Sequence, residues 1–486
     1  MLGTLGLFGG LFTAWWLLLW WVLPVSWQTM SPSVLLSLHL APPILLGVVW
    51  RVWQKIRASK LSDMLQAKQD AAEAERVALR EGARQQHLAD LVERQHAVLC
   101  HGIWGNAVAV KQEPAWLNEL PEGAYWQALL VDDIDADDDA ATQLERAIEQ
   151  VLSDVYASAP GAAWLPHYFE AHTDKDGREQ LAMLKSVQQR AAGAQYFEEA
   201  PASVDARFLP GTGALMVRVQ QLLQQNVSVP GVLILAADTP LLQRGMVDEW
   251  DEIDPEHERL NAWLGMPSQA AVAMVFMRAH LPEPKEAVVR EHNDDVYTPY
   301  WEKQQQYSDE AWGRVPTAQQ ASLFELPVLA QLQVPVMATA QYPNQQAFAR
   351  EMHSVFENAL LNAAMRDYPF SEEDRDCSKD QAESIAWLVH NSGDVDVGGG
   401  RLAAISVALS QQQVPLNPID EASNTVCEWG DVGHASNVLQ TAMAVMHCAR
   451  LAAPVVLAQF FGVSEVGSNE AQSISLALVR PQEQNA

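Results

Sequence analysis

The N-terminal segment has no alternation of polar and apolar positions. Leu5 to Leu23 is uncharged and rich in Leu, Trp and Phe, and a second uncharged stretch runs from Ser33 to Trp50. Each is close to the about 20 residues that carry a helix across a hydrocarbon core. Met1 to Thr4 has no basic side chain, so a secretory leader is not expected. Trp15, Trp16, Trp20 and Trp21 suit a membrane interface, whereas His39, Pro42 and Pro43 predict a kink in the second stretch. The connection from Val25 to Pro32 is uncharged, and Arg51, Lys55, Arg57 and Lys60 follow the second stretch. Positive flanks stay in the cytoplasm. The expectation over residues 1–52 is a transmembrane hairpin with both termini in the cytoplasm. Residues 53–98 are dense in strong helix formers without a strict heptad, which predicts a stalk helix rather than a regular coiled coil.

Beyond His96 the pattern turns to short apolar runs between helical spacings. Runs at Tyr125–Val131, Val232–Asp238, Ala270–Arg278, Val334–Ala340, Ser384–His390, Thr425–Glu428, Pro454–Phe461 and Ser473–Val479 predict strands. The last two resemble a closing hairpin. Helices are expected over Ala141–Ser158, Thr212–Gln225, Asn344–Arg366, Gly400–Gln411 and His434–Leu451. Such alternation implies one layered α/β domain over residues 99–486, helices covering central sheets. Residues 283–321 are polar, hold Tyr297, Tyr300, Trp301 and Trp312, and predict an irregular insertion or cap. Exposed Tyr and Trp make strong interface anchors, so these four are the candidate binding residues; the alternative is a cap packed on the core. The carboxylate run Asp132 to Asp139 suits either a calcium loop or a solvated lead-in to a helix, and the missing EF-hand Gly and Glu favour the second. Asp174 to Gly177 reads as a turn.

The formal charge of −30 over 486 residues excludes a phosphate-binding surface, so no nucleic-acid partner is expected. Cys100, Cys377, Cys427 and Cys448 have no CxxC spacing, hence neither a disulfide framework nor a zinc motif. No cofactor and no metal are expected from motifs. The chemistry-bearing turns lie late: His390-Asn391-Ser392-Gly393, Gly433-His434 and Phe461-Gly462. Two imidazoles converging from separate turns could serve acyl chemistry as an oxyanion site.

The order of elements, best over Arg207–Arg278 and Val334–Arg480, resembles the thiolase-like fold of the β-ketoacyl synthases. Phe208 to Ala214, leading to Ala236-Ala237-Asp238, is similar to the family's nucleophile turn and its following strand. Pro267 to Val275 is similar to the strand after its Gly-Glu-Gly turn. His390 and His434 stand where its two histidines would. Yet no cysteine occurs at Pro210 to Gly213, Trp429 replaces the family's lysine, and Arg401 stands near its acidic residue. Thr212 is the one hydroxyl candidate for a nucleophile. The resemblance therefore implies a catalytically silent relative, with His390, His434 and Thr212 as vestigial catalytic residues. A membrane-anchored N-terminus before a degenerate thiolase-like domain also resembles the accessory proteins of type VI secretion lipase effectors. That implies an adaptor binding a lipase-type effector and helping to load it onto the VgrG spike. The rival expectation is an acyl-transfer enzyme acting on thioesters or lipids near the membrane; a purely structural part of the secretion complex is a third.

Overall fold

The computed structural model describes residues 2–22, 31–95, 97–134, 139–173, 175–195, 206–243, 255–284, 311–366, 381–462 and 470–482. They divide into two compact units, Met1–Ala89 and Asp90–Ala486. In the first, α1 (Leu2–Val22) is followed by α2 (Pro32–Arg94). Only α2 among the described helices is long and apolar enough to cross a membrane; the apolar run Gly9–Val22 of α1 is shorter. The expected second span and stalk are therefore one continuous helix, which runs through Pro42 and Pro43. Proline has no N–H, so residue 42 leaves the Leu38 carbonyl without its helical donor. The Trp15 indole N–H takes that place, 3.1 Å away. Here a tryptophan of α1 satisfies a helix defect in α2.

The second unit begins where the stalk was expected to end. Ala97 and Val98 already belong to β1 (Ala97–Val108), which precedes β2 (Ala124–Leu129), α3 (Ala140–Ser158), β3 (His167–Phe169) and α4 (Gly177–Ala194). Next come β4 (Ala206–Phe208), α5 (Leu215–Gln225), β5 (Gly231–Asp238), α6 (Pro255–Leu264) and β6 (Ala270–Met277). A second series holds α7 (Thr317–Phe324), β7 (Ala330–Gln333), β8 (Val336–Ala340), α8 (Gln345–Asn362), β9 (Trp387–His390) and α9 (Val395–Gln411). It closes with β10 (Ala422–Asn424), α10 (Thr425–Trp429), α11 (Ser436–Leu451), β11 (Val455–Phe461) and β12 (Gln472–Arg480).

The strands join in one 12-stranded sheet ordered β10-β9-β11-β12-β7-β1-β6-β5-β3-β4, with β2 on β1 and β8 on β12. This order is a duplication. In one half β4 pairs β3 and β3 pairs β5 in parallel, with β6 antiparallel between β5 and β1; in the other β10 pairs β9 and β9 pairs β11 in parallel, with β12 antiparallel between β11 and β7. The two first strands, β1 and β7, meet antiparallel at Ala97↔Gln333 and Cys100↔Ala330. Two like units joined through like strands running in opposite directions are related by a local twofold axis.

Strand periodicity builds the layers. Along β5, Val232, Ile234 and Ala236 enter one cluster with α5 and α11, while Leu233, Leu235 and Ala237 enter another with α3 and α4. Strand β11 splits the same way, Val455 and Leu457 toward α11, Val456, Ala458 and Phe460 toward α8 and α9. Helix α11 is thus central, packed on both halves, which explains why it is almost wholly buried. The layered α/β expectation holds.

Local differences have physical causes. Residues 425–429 form a helix rather than a strand, because the Asn424 side chain accepts the Val426 N–H at 3.2 Å and caps it. The expected strand at Val334–Ala340 is β8, the strand β7 just before it was not expected, and α7 gives the expected irregular insertion regular structure at its end. Asp139 of the carboxylate run caps α3 through the Thr142 N–H at 2.8 Å, which is the helix lead-in role; Asp135, Asp137 and Asp138 lie outside the described residues. Asp176 of the expected turn caps α4 in the same manner.

Candidate functional site

The site lies where β3, β5 and α11 end or begin. Asp238 closes β5, and Gly433-His434 forms a short turn in front of α11. Gly433 has φ +54, and a Cβ there would sit 2.2 Å from Asp238 Oδ2, so only glycine lets the carboxylate come this close. Asp238 Oδ2 accepts both the His434 main-chain N–H (3.0 Å) and His434 Nδ1 (2.9 Å); Oδ1 accepts the Thr239 N–H (2.8 Å) and Gln243 Nε2 (3.0 Å). Burial by itself would raise the pKa of Asp238. The hydrogen bonds from His434 outweigh it and hold the carboxyl well below the usual carboxylate range.

His172 follows β3 and completes the group. Its ring stacks on His434 with centroids 4.7 Å apart and planes 11° from parallel, and on Phe169 at 5.7 Å. His172 Nε2 meets the Ala237 carbonyl at 2.7 Å, and Nδ1 lies 3.7 Å from Asp238 Oδ1. Burial lowers its proton affinity more than Asp238 raises it. A buried carboxylate behind an imidazole orients that ring and strengthens it as a base, so the Asp238–His434 pair can do proton-transfer work. With His172 it also forms a set of three groups able to ligate a metal ion.

His390 belongs to a different network. It ends β9, is buried, and its Nδ1 accepts the Ser392 hydroxyl at 3.0 Å, while its carbonyl accepts from Thr425 Oγ1 at 3.3 Å. Burial pushes its proton affinity down to about 4. Thr212 is exposed in the turn before α5. That turn is tied to α11, because Asn437 Nδ2 donates to the Gly213 carbonyl at 3.3 Å, and it is braced by Arg218, which reaches Leu209 O, Pro210 O and Glu170. Structure thus brings Thr212 and His434 onto neighbouring turns, and gives His390 to the packing of β9 and β10.

The turn into α5 ends at Ala214, beside a void of about 10 Å³ lined by Ala214, Leu215, Thr441 and Gln459 among others. One water needs roughly that volume, and an acyl chain far more. The described thiols lie elsewhere: Cys100 and Cys448 are buried with pKa pushed up to about 12 by desolvation, and Cys427 is exposed with its pKa also raised by burial of the sulfur. Trp429, where the lysine was expected, is fully buried edge-on to Trp126. Arg401 is buried between the Trp263 and Phe460 rings, 4.3 and 5.1 Å from their centroids, and donates to the Gly462 carbonyl at 2.9 Å. It shapes the Phe461-Gly462 turn.

Of the proposed contact residues, Tyr297, Tyr300 and Trp301 lie outside the described residues. Trp312 is a correction: it is fully buried in the core beside α3 and donates to the Pro282 carbonyl at 3.1 Å. An aromatic with a bonded indole N–H inside a core is packing, as in the alternative reading of the cap. Sequence reasoning missed His172 and the role of Asp238. A carboxylate ending a fully apolar strand was the available signal.

No family model and no curated protein matches this chain. Among solved structures it is similar to the ketosynthase from module 6 of the bacillaene synthase of Bacillus subtilis, at 10% identity and TM-score 0.39, covering 80% of this chain and 71% of that one. It is also similar to the acetyl-CoA acetyltransferase from Syntrophomonas wolfei, at 9% identity and TM-score 0.38, covering 78% and 98%. Human mitochondrial 3-ketoacyl-CoA thiolase gives 9% identity and TM-score 0.36, covering 80% and 99%. These likenesses are too loose to assign a family.

Proposed function

We propose that this chain is a membrane-anchored, catalytically silent adaptor with a thiolase-like body. It binds a lipase-class effector of a type VI secretion system at the cytoplasmic side of the inner membrane and helps load it onto the VgrG spike. One observation carries the silent reading. The turn into α5, where the resemblance places an attacking thiol, ends in Ala214, and the void beside it is about 10 Å³. The apolar helix at the N-terminus supports tethering, and the acidic excess suits a basic partner. Affinity capture on the detergent-solubilised full chain tests the role: co-purification of the effector and spike is expected, and recovery of neither contradicts it. A reporter fused at the C-terminus should read cytoplasmic; an external signal would reverse the orientation.

The Asp238–His434 pair favours a second reading, acyl transfer. In that case Thr212 or a neighbouring hydroxyl would be acylated by a thioester donor with His434 as base. Intact mass after exposure to an acyl-thioester separates the two. We expect an unchanged mass; a His434-dependent adduct supports the enzyme.

A further inference from the structure

We propose that His172, Asp238 and His434 form a binding site for one divalent transition metal of the zinc class. The site goes beyond the docking role and does not depend on it. The three residues come from separate elements, yet their candidate ligand atoms all lie within 4.8 Å of one another. The tautomer of His172 decides the matter. A carbonyl only accepts, so the 2.7 Å contact with Ala237 O fixes the proton on Nε2. Nδ1 then presents its lone pair to Asp238 Oδ1, itself an acceptor, at 3.7 Å, with side-chain exposures of 1% and 4%. Two buried acceptors facing one another repel unless a cation lies between them.

The surroundings are those of a metal site. A ligating imidazole commonly donates its other N–H to a backbone carbonyl, which is what His172 does with Ala237. Two imidazoles and a carboxylate suit zinc-class ions better than calcium or magnesium, which prefer all-oxygen shells. His434 is one-third exposed, giving the ion an approach and leaving an open position for water. Its ring stands nearly parallel to that of His172, so their lone pairs converge only after His434 turns about its side-chain bonds. In that step the ion takes the place of the proton between His434 Nδ1 and Asp238 Oδ2: from a neutral ring that proton is exchanged through solvent onto Nε2, and from an imidazolium it leaves to solvent.

The test uses the detergent-solubilised full chain, stripped with chelator and titrated with Zn²⁺ by calorimetry, with Co²⁺ absorption reporting ligand geometry. One equivalent should bind, with a tetrahedral-type Co²⁺ spectrum. His172→Ala and His434→Ala should each weaken binding about tenfold or more, and metal should raise the melting temperature of the wild type alone. If His172→Ala fails to fold, the more exposed His434→Ala carries the comparison. Absence of saturable binding overturns the proposal, as does saturable binding that the variants leave unchanged, which would place the ion on other surface histidines. Effector capture is read separately, so failure here leaves the docking role standing.

Discussion

At the scale of single residues, Gly433 and Asp238 are the pair on which the site turns. Gly433→Ala would place a Cβ 2.2 Å from the Asp238 carboxylate at φ +54; we expect a loss of about 1–3 kcal/mol in urea unfolding, with weakened metal binding. Titration gives two signed expectations. The folded pKa of Asp238 is depressed, so its contribution is full above its unfolded value of about 3.9, shrinks below that, and is gone only once pH has fallen through the lower folded value. Asp238→Asn should therefore destabilise the chain most at neutral pH and progressively less as pH falls below about 4, by thermal melting. Glu428 is the opposite case. Burial raises it from the usual range to about 7 despite its contact with Ser423, so its stability is full at low pH and is lost as pH rises through neutrality. Glu428→Gln should gain about 2–3 kcal/mol relative to wild type between pH 5 and pH 8. His447 beside it is no base for Ser423. Arg450 donates to His447 Nδ1, so Nε2 carries the proton and donates to the Ser423 hydroxyl at 2.9 Å. Of the site residues, His390 and His434 stood out because each sits in a glycine-bearing turn. His172 carried no such mark, since its partners, Ala237 and Asp238, are brought to it by sheet pairing alone.

At the scale of elements, legibility followed burial pattern. Strands β5 and β6 are apolar throughout because helices cover both faces, and such runs declare themselves. Strand β1 is as central yet was not predicted, because Gly102, Gly105, His101 and Asn106 interrupt it. The glycines are there for aromatic neighbours: a Cβ on Gly105 would lie 2.4 Å from the Trp126 ring. Helix α10 was misread as a strand because Thr425 and Val426 are β-branched, and the Asn424 cap outweighed that preference. Leu235 lies on the face of β5 toward α3 and α4 and is fully buried. Leu235→Ala should cost about 2–5 kcal/mol, checked by chemical denaturation. A cost near zero would mean that this layer is not packed as described.

At the scale of the whole molecule, the duplicated sheet was invisible in the sequence. The two halves share strand order and direction, and topology tolerates the loss of every repeated residue so long as period and burial persist. What the sequence did carry was the sequence of turns at strand ends: the fold sets the Thr212 and Gly433-His434 turns at α5 and α11, and leaves the His390 turn with β9 and β10 and the Phe461-Gly462 turn with Arg401 of α9. We propose that this architecture presents a surface and no longer runs a reaction. Capture of the lipase-class effector by the full chain and by a His390→Ala/His434→Ala variant tests that most directly. Equal capture by both is the expected result. Loss of capture by a variant that melts like the wild type, or capture by neither, contradicts it.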